Sequence, residues 1–138
     1  MRISADDFTE VPYPPMHAIH LEEVALINSI YARIEAMEHG TTEPMLLTQR
    51  LDELFKHTTE HFAGEEQLMA DCHFPAYAMH KGAHDLFLRE FGQVVAAWKS
   101  NQQVGPVGQF MRQHLPAWLK QHIGTMDFVT AGFVAARL

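Results

Sequence analysis

Seven residues of this chain fall at helical spacings from which two metal ions could be caged: His20, His61, Glu65, His80, His84, His122 and Asp127. His61 and Glu65 are four apart, so both side chains leave one helix face, and His80 and His84 repeat that arrangement. His122 and Asp127 are five apart, about 140° round a regular helix at ~100° per residue. A single π-type turn would absorb the extra residue and bring both to one face, and Gly124 lies between them, so a helix irregularity is expected there. Five imidazoles and two carboxylates suit first-row transition ions, with the carboxylates free to bridge or to neutralise charge.

These residues sit on four segments marked out by punctuation. Pro12, Pro14 and Pro15 close an extended N-terminal arm, residues 1–15. From about 16 to 38 the apolar residues Ile19, Val24, Ile27, Ile30, Tyr31 and Ile34 follow a helical period. His39-Gly40-Thr41-Thr42 reads as a turn. Pro44 suits the first turn of a second helix with Thr42 as its cap, and that helix runs to about Asp71. The segment Cys72-His73-Phe74-Pro75 breaks it. A third helix is expected over about 76–99. Ser100-Asn101 and Gly105-Pro106 form the next loop, and a fourth helix covers about 106–135. Pro116 should kink that helix. Gly64 and Gly82 each cost about 1 kcal/mol against Ala within a helix, and close backbone packing near the metals would account for them. Strand-like alternation is absent. The reading is all-α: an up-down-up-down antiparallel four-helix bundle (16–135) with an extended arm, one domain over 1–138.

Height along the bundle gives an independent argument. With alternating helix directions and ~1.5 Å rise per residue, all seven positions fall in one slab about 14 Å thick. A core histidine is commonly just packed and hydrogen-bonded, and an i,i+4 pair can be a solvated face. Seven such groups at one buried level would be costly to desolvate, however, and a metal pair removes that cost.

Composition narrows the functional classes. In 138 residues, 47% are apolar, enough for a real core, and the net charge of −7 argues against nucleic-acid binding. The ten histidines are spread from His17 to His122, unlike a tag. One cysteine, Cys72, excludes an internal disulfide and the multi-thiolate zinc and iron–sulfur frameworks, and fits a reducing compartment. The first fifteen residues contain Asp6, Asp7 and Glu10 and no apolar run, so no signal peptide is expected; no membrane span is expected either. The expected location is cytoplasmic.

The runs HLEEVALIN (20–28), HTTEHFAGEEQLM (57–69), FPAYAMHKGAH (74–84) and WLKQHIGTMD (118–127) resemble hemerythrins, in particular the bacterial hemerythrin-like domains. The resemblance spans about 16–135. It implies two iron ions with a bridging oxo or hydroxo group. His80, His84 and His122 would bind one iron and His20 and His61 the other, with Glu65 and Asp127 bridging. The iron with two histidines would keep an open position for dioxygen. Phe62, Trp118, Leu119 and Ile123 match the apolar residues around that position. The implied function is reversible dioxygen binding for storage, delivery or sensing, and more an oxygen-binding protein than an enzyme. Two alternatives stand beside it: a di-iron redox enzyme acting on peroxide, dioxygen or nitric oxide, and an oxygen- or iron-responsive bundle signalling to a separate, unknown protein partner.

Glu23 departs from that pattern. It lies one turn after His20, where the family usually has an apolar residue. It could fill the open iron position as an extra ligand, donate protons, or point to solvent. His17 stands where an aspartate commonly precedes the first ligand. His57 and His114 roughly share the ligand faces, and either form a second polar layer with Glu23 or lie on the surface. His39 and His73 fall in turns.

Overall fold

The computed structural model describes residues 1–137. Helix α1 is Pro14–Glu38, α2 is Pro44–Asp71 and α3 is Tyr77–Asn101. A fourth rod, 104–135, consists of Val104–Gln109, a π-helical turn Phe110–His114, Leu115–His122, a second π-helical turn Ile123–Asp127, and Phe128–Ala135. There is no strand among the described residues. The rods run antiparallel. Early α2 meets late α3 through Trp98 Nε1, which donates to Thr48 Oγ1 at 2.9 Å. Late α1 meets the start of the fourth rod through Tyr31 and Met111, and early α1 meets its far end through His20 and Asp127.

The ends of the rods depart in places from what the sequence suggests. Pro14 and Pro15 belong to the first turn of α1, where their missing N–H groups have no intrahelical acceptor to lose. Gly40, at φ 67°, takes the left-handed conformation after α1. Thr42 does not cap α2: the capping position is Glu43, without a side-chain bond, and the buried Thr42 hydroxyl has no partner. Gly105-Pro106 is not a loop. The fourth rod starts at Val104, and Pro106 fits its first turn for the same reason as Pro14; the chain turns instead at Gln102, whose φ is 53°.

Pro116 is accommodated by the first π turn. Leu115 N–H donates to Phe110 O, five residues back, so the helix widens just before the proline. The second π turn falls between His122 and Asp127, as the five-residue spacing predicts. Gly64 and Gly82 are exposed, and a Cβ built on either meets nothing within 4 Å, so close packing does not explain them.

The upper part of the bundle is apolar. Ile27, Ile30, Ile34, Leu47, Leu51, Leu54, Phe91, Trp98, Met111 and Leu115 are each at most 2% exposed. Burying a side chain of this size is worth about 1.5–3 kcal/mol. The lower part holds the polar residues. Among the described residues, every buried polar or charged residue except Thr58 belongs to one connected cluster. The arm runs down α1 towards this end: the N-terminal amine pairs with Glu35 at 2.6 Å, the Ile3 backbone exchanges two 2.9 Å bonds with the Asn28 side chain, and Thr9 Oγ1 lies against Gly124.

Candidate metal centre

All seven predicted donors are buried, none more than 5% exposed. α1 contributes His20, α2 contributes His61 and Glu65, α3 contributes His80 and His84, and the fourth rod contributes His122 and Asp127. The second π turn carries Asp127 round to the face of His122, so that His122 Nε2 lies 3.1 Å from Asp127 Oδ1.

The donors form two adjacent groups. One comprises Glu65, His80, His84, His122 and Asp127, and the other His20, His61, Glu65 and Asp127; within each group the donor atoms lie within 4.8 Å of one another. The two carboxylates divide their oxygens between the groups. Glu65 Oε1 lies 3.4 Å from His80 Nε2 and 3.2 Å from His84 Nε2, while its Oε2 lies 2.5 Å from His61 Nε2 and 3.8 Å from His20 Nε2. Asp127 Oδ1 lies 3.0 Å from His80 Nε2, while its Oδ2 accepts from His20 Nε2 at 3.0 Å. The arrangement is therefore three imidazoles on one side, two on the other, and a carboxylate oxygen pair shared by each.

Electrostatics inside the cluster follow from this crowding. Burial works against charge on His20 and His80, but their bonds to Asp127 and Glu65 outweigh it and raise both to about 9. His61 moves the same way for the same reason, through Glu23 and Glu65. Burial would raise Glu65 and Asp127, yet the facing imidazoles hold both below the usual carboxylate range.

The donor set fits a pair of first-row metal ions. Glu65 Oε1 and His84 Nε2, 3.2 Å apart, are both buried and lack a hydrogen-bond partner. Facing buried ligand atoms without a hydrogen bond between them are what a cation relieves.

The outer nitrogens of the rings have their own partners. His80 Nδ1 donates to Thr130 Oγ1 at 2.8 Å, and that hydroxyl is directed at Met69 Sδ. His84 Nδ1 donates to Glu66 Oε2 at 2.9 Å. Sequence reasoning missed both Thr130 and Glu66. The signals were slight: Thr130 follows Asp127 by one turn, and Glu66 is the second acid of the Glu65-Glu66 pair.

Glu23 is buried, 3% exposed, but it does not stand among the Nε2 atoms. Its Oε1 accepts from His61 Nδ1 at 2.6 Å, on the side of the ring away from Glu65, and from His57 Nδ1 at 3.3 Å. Burial would raise its pKa, but the His61 charge and the bonds from His57 and His61 lower it to about 2. Of the two uncertain histidines, His57 thus joins Glu23, and His57 Nε2 also donates to Glu22 at 2.9 Å. His114 is exposed and paired with Glu90 at 2.8 Å. His17 is half-buried, with no partner for Nδ1. His39 and His73 are exposed.

The apolar residues are packed on the rings. Phe62 stacks on His84 with centroids 3.8 Å apart and lies 5.2 Å from His61. Trp118 stacks on His122 at 4.3 Å. Leu119 and Ile123 are buried beside them in the same core. No helix among the described residues is long and apolar enough to cross a membrane.

Fold and donor geometry together define a class: a helical bundle with two neighbouring His–carboxylate groups of cation-binding composition. The sequence model of the hemerythrin HHE cation binding domain matches residues 11–134. Bacteriohemerythrin of Aquifex aeolicus is 33% identical over 116 residues, 84% of this chain and 85% of that one. Bacteriohemerythrin of Pseudomonas aeruginosa is 30% identical over 117 residues, 85% of this chain and 69% of that one. Myohemerythrin of Sipunculus nudus is 31% identical over 83 residues, 60% of this chain and 62% of that one. The chain belongs to the hemerythrin family.

Proposed function

We propose that this chain is a cytoplasmic non-heme di-iron protein that binds dioxygen reversibly, for storage, delivery or sensing. The observation that carries the reading is the unequal division of donors. One group has three imidazoles and two carboxylate oxygens. The other has two imidazoles and two carboxylate oxygens, so an ion held by His20, His61, Glu65 and Asp127 would keep room for an exogenous small ligand. Two iron ions held in this way would supply the two electrons that reversible dioxygen binding requires.

The chain's own residues do the rest. Glu65 and Asp127, whose oxygens face both groups, would offset the charge of the ions held there. Thr130 and Glu66 orient His80 and His84 through their outer nitrogens. Phe62, packed against both His84 and His61, and Trp118, stacked on His122 with Leu119 and Ile123 in the same core, would limit water at the centre, which favours release of the bound gas intact over its reduction. Glu23 is bonded to the far nitrogen of His61 and is not aimed among the Nε2 atoms, which supports oxygen binding over the redox-enzyme alternative. Family membership supports the same reading, since the related chains are named bacteriohemerythrin and myohemerythrin. A lone cysteine, Cys72, fits the reducing cytoplasm.

The test is optical. Protein loaded anaerobically with ferrous iron should bind two ions per chain. Exposure to oxygen should then give a visible charge-transfer band that disappears under vacuum and returns on re-exposure. Irreversible oxidation in a single exposure would replace this reading with the redox alternative.

A further inference from the structure

The five imidazoles of the centre differ in what stands behind them. His80 is backed by a hydroxyl, and His84 by Glu66, which is partly exposed. His20 Nδ1 is buried with no partner. His61 alone is backed by a fully buried carboxylate, Glu23, at 2.6 Å. That carboxylate is itself held from behind. His57 Nδ1 reaches the same oxygen at 3.3 Å, and His57 Nε2 is tied to Glu22 on the surface at 2.9 Å.

The His61 ring therefore sits between two acids, with Nδ1 directed at Glu23 and Nε2 at Glu65. An ionised acceptor on the Nδ1 proton fixes that tautomer, so the Nε2 lone pair faces the two-histidine group. It also holds the ring plane and makes Nε2 a stronger donor. The effect is local, because the other imidazole of this group, His20, has no outer bond of its own. Glu23 reaches the centre only through His61.

We propose that Glu23 is a positioning residue for the two-histidine position: acting through His61 and steadied by His57, it sets how tightly that position holds its cation. The inference rests on the reading of His20, His61, Glu65 and Asp127 as one of two cation positions. It makes Glu23 neither an extra ligand nor an obstruction.

The test uses cobalt(II), whose binding is read by visible absorption and chelator competition without oxygen chemistry. Wild-type chain should take two equivalents; if it does not, the two-cation reading itself fails, whatever Glu23 does. In Glu23→Leu, one equivalent should weaken about 10- to 100-fold, while the other is unchanged. Glu23→Gln keeps an acceptor oxygen for the Nδ1 proton but loses the charge, and should show a smaller loss confined to the same equivalent. In cobalt-loaded wild type, the His61 Nδ1 proton should appear as a hyperfine-shifted, slowly exchanging resonance, and it should exchange fast in Glu23→Leu. Equal affinities in wild type and Glu23→Leu would overturn the proposal. So would a loss in Glu23→Gln as large as in Glu23→Leu with no protected Nδ1 proton in wild type, since that marks Glu23 as a direct ligand. If Glu23→Leu fails to fold on its own, the Gln variant and the proton resonance carry the test.

Discussion

The Tyr31 hydroxyl donates to the Met111 carbonyl at 2.5 Å, across 80 residues of sequence. Met111 lies in the π turn Phe110–His114, where the amide five residues on would be the donor. That residue is Pro116, which has no N–H. Tyr31 thus satisfies a carbonyl that the helix cannot, and it is 1% exposed, so water does not take its place.

Tyr31→Phe should destabilise the chain by about 1–3 kcal/mol, the cost of leaving a buried carbonyl unpaired. Urea denaturation measures it. In a Pro116→Ala background, the new amide can serve the carbonyl, so the same substitution should cost less; equal costs in both backgrounds would show that the proline is not the reason for the bond.

Gly64→Ala and Gly82→Ala should each stabilise the chain by about 0.5–1 kcal/mol, because both glycines are helical, exposed and without neighbours at the Cβ position. Thermal unfolding should show a higher Tm for each variant, with two-ion binding unaltered. A lower Tm would mean that the glycines serve a role the static packing does not display.

In the cation-free chain, stability should decline as pH rises from neutral to alkaline. His20 and His80 have folded values raised to about 9 from 6.5. Their ion pairs contribute in full below pH 6.5, and the contribution is lost as pH rises through about 9. On the acid side Glu23, lowered from 4.5 to about 2, contributes above pH 4.5 and loses that contribution as pH falls through 2. Each of these groups contributes on the order of a few kcal/mol. Tm of chelator-treated protein at pH 6, 7.5 and 9 checks the sign: a flat or rising series contradicts it. Metal-loaded protein should lack the alkaline decline, since bound imidazoles are neutral at Nε2.

Glu65→Gln and Asp127→Asn should each reduce the bound metal from two ions per chain towards one, because each carboxylate offers an oxygen to both groups. Metal analysis after gel filtration measures this. Retention of two ions in both variants would contradict a shared carboxylate pair.

Much of the centre was legible because helical spacing is a strict ruler. The i,i+4 pairs His61/Glu65 and His80/His84 fix two faces, and the mismatched His122/Asp127 spacing foretold the turn at Ile123–Asp127. Proline gave less. It marks a break in hydrogen bonding but not the remedy, and at Pro116 the remedy was a widened turn and a tyrosine from another rod. Gly105-Pro106 looked like a loop, although proline is equally at home in a first helical turn. Glu23 could be placed on the correct face of α1, but which nitrogen of which ring it would meet depends on side-chain angles that spacing does not encode. Thr130 and Glu66 were invisible because a lone threonine and the second of two acids carry no periodic signal.

The separation of an oily upper half from a polar lower end has a consequence for how the molecule comes apart. The upper part is held chiefly by apolar packing, whereas the lower end, besides the buried Met16, Met69 and Val134, encloses all seven donors. Stripping the cations should therefore loosen one pole and leave the other intact, so that amide exchange quickens near residues 16–23, 61–66 and 122–130 while the segments around Ile34, Leu47 and Trp98 stay protected.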